Sequence, residues 1–343
     1  MYNHNMPRVS VLMPCYNVRE TVVETLQSLV SQSERDIEIV AVDDGSEDDT
    51  LQVLENWSQK DRRINVISRG HEGVIPTLNH GLTVCKAEYI ARMDADDLAQ
   101  EERLALQAQY LDDHPEIALV SSLVSGFPKE AVGKGFQIYL NWLNSLLTEE
   151  DIHREIFIES PVVHPSVMYR KSVIEDLGGY QDYGWPEDYD LWMRMYINGN
   201  RFAKIPQVLV QWREHEKRLT RTDDRYSMVN MLRLKAHYLM HGPLIDRDAI
   251  ILWGAGSIGG RVGKLLKEAG FPVDAYIDVD PKRIGSTRHG HTIYAADDVP
   301  SLWSAHKTPV ILAAVGVRGA RQLIRNQLVE MGFQEGVDWW AVA

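Results

Sequence analysis

The sequence predicts an α/β fold in two parts, a larger one over residues 1–243 and a smaller one over 244–343. Three observations predict it. Short apolar runs of strand length alternate with segments whose apolar residues recur at helical spacing, the pattern of a parallel sheet flanked by helices. Two of those runs end abruptly in carboxylates, at Asp43-Asp44 and at Asp94-Ala95-Asp96-Asp97, on what would be the same sheet edge, where open α/β folds bind ligands. A glycine-rich turn, Gly254-Ala255-Gly256-Ser257-Ile258-Gly259, then sits between a second strand-like run and a helix-like one.

The elements follow in order. A strand over 9–14 leads through Cys15-Tyr16-Asn17 into a helix over 20–32, whose Val22, Val23, Leu26, Leu29 and Val30 recur at helical spacing. The unit repeats as strand 38–42, helix 49–57, strand 64–68, helix 77–85 and strand 89–93. Another apolar run covers 117–121, and 164–170 reads as one strand, closed by Gly178-Gly179. The stretch from Trp185 begins as a loop and turns helical, with Pro186, Glu187 and Asp188 placed as a helix start prefers. In the second part the strands are 249–253, 273–277 and 310–315, and the helices 262–269 and 316–331.

Composition excludes several classes. The chain has 343 residues with 44% hydrophobic and 25% charged, an ordinary globular balance. A net charge of −13 argues against a nucleic-acid partner. Cys15 and Cys85 have no metal or redox spacing, so both read as reduced core thiols. No apolar run reaches bilayer-spanning length, and Met1 to Arg8 lacks signal-peptide architecture, so a cytoplasmic location is expected. Peripheral contact with the inner membrane face stays open, as does homo-oligomer formation. The segment 136–147 around Trp142 reads as a core-packed helix, because the basic face of a membrane-surface helix is missing.

Carboxylates that end a buried strand want a cation, and a divalent ion with oxygen ligands is their usual partner. Asp is also a favoured helix N-cap, and either cluster alone is open to that reading. Two clusters at one sheet edge point to a nucleotide-diphosphate and metal site.

Several motifs in order carry a resemblance. Val9-Ser10-Val11-Leu12-Met13-Pro14-Cys15-Tyr16-Asn17, Val42-Asp43-Asp44-Gly45-Ser46, Asp94-Ala95-Asp96, His164-Pro165-Ser166-Val167-Met168-Tyr169-Arg170, Glu187-Asp188-Tyr189-Asp190-Leu191-Trp192 and Trp212-Arg213-Glu214-His215 are similar to successive segments of the family 2 inverting glycosyltransferases. The resemblance covers the first two-thirds of the chain and implies the GT-A nucleotide-diphospho-sugar transferase fold, followed by a small Rossmann-like α/β domain. By that resemblance a nucleotide-diphospho-sugar donor, with a lean to uridine, would be held by Pro14, Tyr16, Asn17, Asp44, Arg69, Asp94, Asp96 and Arg213. Mn²⁺ or Mg²⁺ would be held by Asp96 and Asp94 with His215. Asp188 would be the general base, with Glu187 its close competitor. His164 and Trp185 would shape the pocket for a glycan or lipid-linked acceptor, placing the enzyme in bacterial surface-glycan synthesis.

Each marked residue has a plainer alternative: a helix-start cap or salt bridge for Glu187 and Asp188, a hydrogen-bonded structural histidine for His164 or His215, turn and packing geometry for Asn79 and Gly81. The basic stretch 217–226 reads as a solvated loop or as a lid over diphosphate. In the second part Gly254, Gly256 and Gly259, with Asp278 at a strand end, form a dinucleotide fingerprint. A domain of about one hundred residues is short for a complete NAD(P) fold, so another nucleotide, a scaffold role and oligomerisation all stay open. Two rivals stand beside the transferase. A nucleotidyltransferase would need a glycine-rich, cationic phosphate loop where Cys15-Tyr16-Asn17-Val18-Arg19 stands. A nucleotide-sensing binding protein would use the second part alone and leave Asp94, Asp96 and Asp188 without a role.

Overall fold

The structure, a computed structural model, describes residues 6–343; the first five residues of the stretch read above for a signal peptide lie outside the described residues. The chain forms two compact units. Among the described residues the first comprises 6–152, 161–183 and 187–223, and the second 153–160, 184–186 and 224–343.

In chain order the first unit carries β1 Val9–Cys15, α1 Val22–Val30, β2 Ile37–Asp43, α2 Thr50–Ser58, β3 Ile64–Ser68, α3 Val74–Val84, β4 Tyr89–Arg92, β5 Leu98–Ala99, α4 Arg103–Asp113, β6 Ile117–Phe127 and α5 Lys134–Ser145. Helix α6, Glu149–Glu155, ends in the second unit. Then come β7 Met168–Arg170, α7 Lys171–Asp176, α8 Glu187–Ile197, β8 Arg201–Arg213 and α9 Leu219–Thr222.

Its sheet has eight strands in the order β3-β2-β1-β4-β7-β6-β8-β5. Strands β1 to β4 pair in parallel, as the alternating pattern predicts. The sheet as a whole is mixed, which corrects the all-parallel expectation: β7 runs antiparallel to both β4 and β6, and β5 antiparallel to β8. Apolar periodicity reports burial, not strand direction, so a reversed strand is invisible to it. The strand expected over 164–170 is shorter, because His164–Ser166 is a 3₁₀ turn and only β7 pairs. Pro165 has no N–H for the ladder.

Side chains alternate across the sheet, and both faces are covered. Val9, Val11 and Met13 of β1 pack with Leu26 and Leu29 of α1, while Leu12 packs with Val42 and with Leu78 and Leu82 of α3. Gly81 lets α3 come close, since a Cβ there would lie 2.2 Å from Leu12 Cδ1. Helix α5 buries Leu140 and Leu143 with Val124 and Val210, a core role for the segment around Trp142.

The second unit carries α10 Met228–Met240, β9 Ala249–Trp253, α11 Ser257–Glu268, β10 Val273–Ile277, β11 Thr287–Arg288, β12 His291–Tyr294, α12 Val299–Ser304, β13 Pro309–Ala313, α13 Ala320–Glu330 and β14 Trp339–Ala341. Its six strands run β11-β12-β10-β9-β13-β14, with only β11 antiparallel to its neighbour. Its longest stretch runs from 224 to 343, with α10 packed on α11. Among the described residues no helix is long and apolar enough to cross a membrane.

Candidate active site

The carboxyl ends of β1, β2 and β4 lie side by side, in register Cys15 with Asp43 and Leu12 with Arg92, so the loops that follow them share one edge. The Asp44 carboxylate is fixed there. It accepts N–H donors from Glu72 at 3.0 Å and Gly73 at 2.9 Å, and His71 Nδ1 lies 2.9 Å from its Oδ2. The close turn needs Gly45 at φ +70°, where a Cβ would meet His71 N at 2.6 Å. The His71 ring stacks on Tyr16, with centroids 4.2 Å apart and planes 18° from parallel. Tyr16 keeps 41% of its surface exposed, so an aromatic face is available beside Asp44.

Asn17, at φ +51°, accepts the Glu47 N–H at 2.8 Å, and its own N–H donates to Ser46 Oγ at 3.0 Å. Pro14 is a paired residue within β1. The Arg69 guanidinium donates to Pro76 O at 2.8 Å and pairs with Glu72, and its N–H donates to Asp43 O at 2.9 Å. Pro14 and Arg69 border the same edge.

Beyond β4, oxygens of Asp94, Asp96 and Asp97 all lie within 4.8 Å of one another. Each is held differently. Asp94 Oδ1 accepts from Arg92 Nη2 at 2.6 Å, and Asp96 Oδ2 is 2.7 Å from His215 Nε2. Asp97 is buried, accepts the Arg213 N–H at 2.7 Å on Oδ1, and leaves Oδ2 buried without a partner. Burial, then the charges of Asp96 and Asp94, push the Asp97 carboxyl well above the usual range. A divalent cation would relieve that repulsion and satisfy the idle oxygen, so these residues fit one. Asp97 was visible as a third acid in the sequence but carried no role there, because its partner stands far along the chain at the end of β8. Arg213 donates to Asp96 O and to Glu24, and lies 4.4 Å from the Phe127 ring centroid. Arg213 therefore ties β8 to the acidic loop.

Helix α8 opens with Glu187 and Asp188. Burial first, then the Glu187 charge, pushes the Asp188 carboxyl up to about 8; Asp94 adds to the rise, while the Tyr189 N–H at 2.7 Å and Arg92 oppose it. Asp94 and Arg92, at the end of β4, thus act electrostatically on the carboxyl that opens α8. Asp190 pairs with Arg194 at 2.8 Å and is structural. His164 Nε2 is 2.9 Å from Tyr180 OH, which is 3.1 Å from Tyr169 OH. Burial, then Arg92, drives His164 well below its ordinary range, so it is neutral, with Nδ1 3.9 Å from Glu187 Oε1. Asn79 anchors this wall through both Tyr180 backbone groups at 2.8 Å. Trp185, expected beside His164, counts with the second unit, where its ring lies 5.3 Å from His237.

In the second unit the glycine-rich turn is built as the fingerprint requires. Gly254 has φ +123°, and a Cβ on Gly259 would lie 1.8 Å from Gly254 O, so close packing of turn and helix explains both. Gly256 faces the Arg283 guanidinium, 3.6 Å from a Cβ position. Asp278 is already engaged. It accepts from Ala255 N–H at 3.2 Å, Asp280 N–H at 3.0 Å and Arg283 Nη1 at 2.8 Å. Despite burial, these donors hold its carboxyl below the ordinary range.

Residues 10–178 match the family model described as glycosyl transferase family 2. The chain is 33% identical over 208 residues to the amylovoran biosynthesis glycosyltransferase AmsE of Erwinia amylovora, covering 60% of this chain and 75% of that one. Among solved structures, S. aureus TarS 1-349 in complex with UDP-GlcNAc superposes with a TM-score of 0.56 at 22% identity, covering 69% of this chain and 68% of that one. The mannosyltransferase PcManGT of Pyrobaculum calidifontis, in complex with GDP-Man and Mn²⁺, gives 0.51 at 18% identity, covering 77% and 80%. The mixed sheet with a strand-end acidic cluster is thus the GT-A arrangement, and the chain belongs to glycosyl transferase family 2.

Proposed function

We propose that the first unit transfers a glycosyl group, with inversion, from a nucleoside-diphosphate sugar to a hydroxyl of a glycan or lipid-linked acceptor in bacterial surface-glycan synthesis. The observation that carries this is the carboxylate trio Asp94, Asp96 and Asp97, with a buried unsatisfied oxygen, beside a raised carboxyl at Asp188. AmsE, a glycosyltransferase of amylovoran biosynthesis, supports the pathway class. TarS with UDP-GlcNAc supports a uridine donor, and PcManGT with GDP-Man and Mn²⁺ supports the metal.

Asp94, Asp96 and Asp97, with His215 behind Asp96, would hold Mn²⁺ or Mg²⁺, which supplies Lewis-acid neutralisation of the leaving diphosphate. Tyr16 offers its exposed face to the nucleobase and Asp44 its carboxylate to a base N–H, with Pro14, Asn17 and Arg69 bordering them. The ionised Asp188 takes the proton of the acceptor hydroxyl as its oxygen bonds to the anomeric carbon. The bond from that carbon to the diphosphate breaks on the opposite face, and the nucleoside diphosphate leaves with the electron pair. A carboxyl whose pKa sits near the working pH suits that role. Glu187, buried and 3.9 Å from His164, raises the Asp188 carboxyl through its charge. For the second unit the reading is a scaffold, since Asp278 is already bound by Arg283 and backbone donors.

The test is a donor screen that follows release of nucleoside diphosphate with and without Mn²⁺. One donor hydrolysed slowly without acceptor, in a metal-dependent way, is the expected result. Release of inorganic pyrophosphate from a nucleoside triphosphate would favour the nucleotidyltransferase reading instead.

A further inference from the structure

Arg92 closes β4 and is 3% exposed. Its Nη2 donates to Asp94, yet Nε and Nη1 are buried and have no hydrogen-bond partner. Burying a charged donor without an acceptor is costly, so a fold that keeps one has a use for it that packing does not supply. The residue is also held with care. Its N–H donates to Val167 O at 3.0 Å, and its carbonyl accepts from Arg103 Nη2 at 2.8 Å, with Arg103 itself buried and braced by Gln107 at 3.0 Å. The Asp94 carboxylate that Arg92 holds at 2.6 Å is one of three whose oxygens lie within 4.8 Å of one another.

We propose that Arg92 is a positioning residue for glycosyl transfer, fixing the Asp94 carboxylate toward the donor through its buried guanidinium. The proposal rests on the transferase reading. Asp94 without Arg92 is free to turn away from its productive rotamer. Misplacement by about 1 Å costs on the order of a hundredfold in rate.

The experiment compares Arg92→Met, Arg92→Lys, Asp94→Asn and the double variant Arg92→Met/Asp94→Asn by steady-state kinetics and thermal unfolding. Arg92→Met is expected to lower kcat per folded enzyme about a hundredfold while donor KM moves less than about threefold, and Arg92→Lys to recover about a factor of ten. The double variant is expected to be no slower than Asp94→Asn, because the two residues act as a unit. A merely structural role would lower Tm and leave kcat per folded enzyme unchanged. That result, or additive losses in the double variant, overturns the proposal. If Arg92→Met does not fold, Arg92→Lys decides: a drop in kcat at unchanged Tm is expected, and an unchanged kcat overturns it. Wild-type enzyme inert toward every donor sugar removes the transferase reading itself, a different outcome from an active wild type with an unimpaired Arg92→Met.

Discussion

His215 Nε2 lies 2.7 Å from Asp96 Oδ2, a pairing across 119 positions that ties the end of β8 to the acidic loop after β4. The imidazole is thereby oriented to share the carboxylate with a cation or to stand behind it, as outer partners of metal ligands do.

Asp96→Ala is therefore expected to abolish metal-stimulated transfer and to weaken donor binding in the presence of Mn²⁺, read by titration calorimetry. His215→Ala should retain transfer but demand more metal, by a factor of about ten to a hundred. Full activity of Asp96→Ala in excess chelator ends the metal-site reading.

Asp188→Asn should leave donor and metal binding near wild type and lower turnover by a factor on the order of hundreds, within the range for loss of a general base. In wild-type enzyme kcat/KM should rise with pH and level off above about 8, because the base form appears only as the raised carboxyl ionises. Should Glu187→Gln alone carry the rate defect, the base is misassigned.

The same carboxyl bears on stability. Its folded pKa of about 8 lies above the roughly 3.9 of an unfolded Asp, so folding takes up a proton and stability falls as pH rises through that window. Asp188→Asn removes the penalty and can still accept the Tyr189 N–H. Its Tm should exceed that of wild type at pH 8 to 9, with the gap closing toward pH 5. A gap independent of pH would contradict the assignment.

His71→Ala removes the ring stacked on Tyr16 and held by Asp44. Donor Kd should weaken by roughly three- to tenfold, the size of an aromatic contact, with kcat unchanged. An effect on kcat without one on Kd would separate His71 from the nucleobase.

Glu155 is buried in the second unit and accepts from Arg321 Nη1 and Arg325 Nη2, each at 2.9 Å, while Arg325 also pairs with Glu335. Glu155→Ala leaves both guanidiniums without it and should cost about 3 kcal/mol or more by urea denaturation. Transfer by the remaining folded enzyme at low temperature should persist, as expected of a scaffold.

The first four strands and their helices were legible because each apolar run alternates with a helical period, and the two acidic strand ends mark the working edge without any distant contact. The insertion of β7 was not. Strand β8 was missed because Pro206 interrupts it and Lys204 reads as polar, although Lys204 Nζ is buried against Leu143 O and Pro161 O at 2.8 and 2.9 Å. His71 and Asp97 lay in view, but the stack on Tyr16 and the hydrogen bond from Arg213 N–H exist only after folding. Helix α11 starts at Ser257, ahead of the 262 expected, because the glycine turn feeds directly into it.

The chain leaves one unit for the other at 152/153, 160/161, 183/184, 186/187 and 223/224. Pro186 belongs to the second unit and its covalent neighbour Glu187 to the first, so the chain changes unit immediately before helix α8. A gene cut at a single junction cannot exchange this carboxy-terminal module for another, and a protease that nicks after Asp223 would still leave two pieces of it on the amino-terminal fragment.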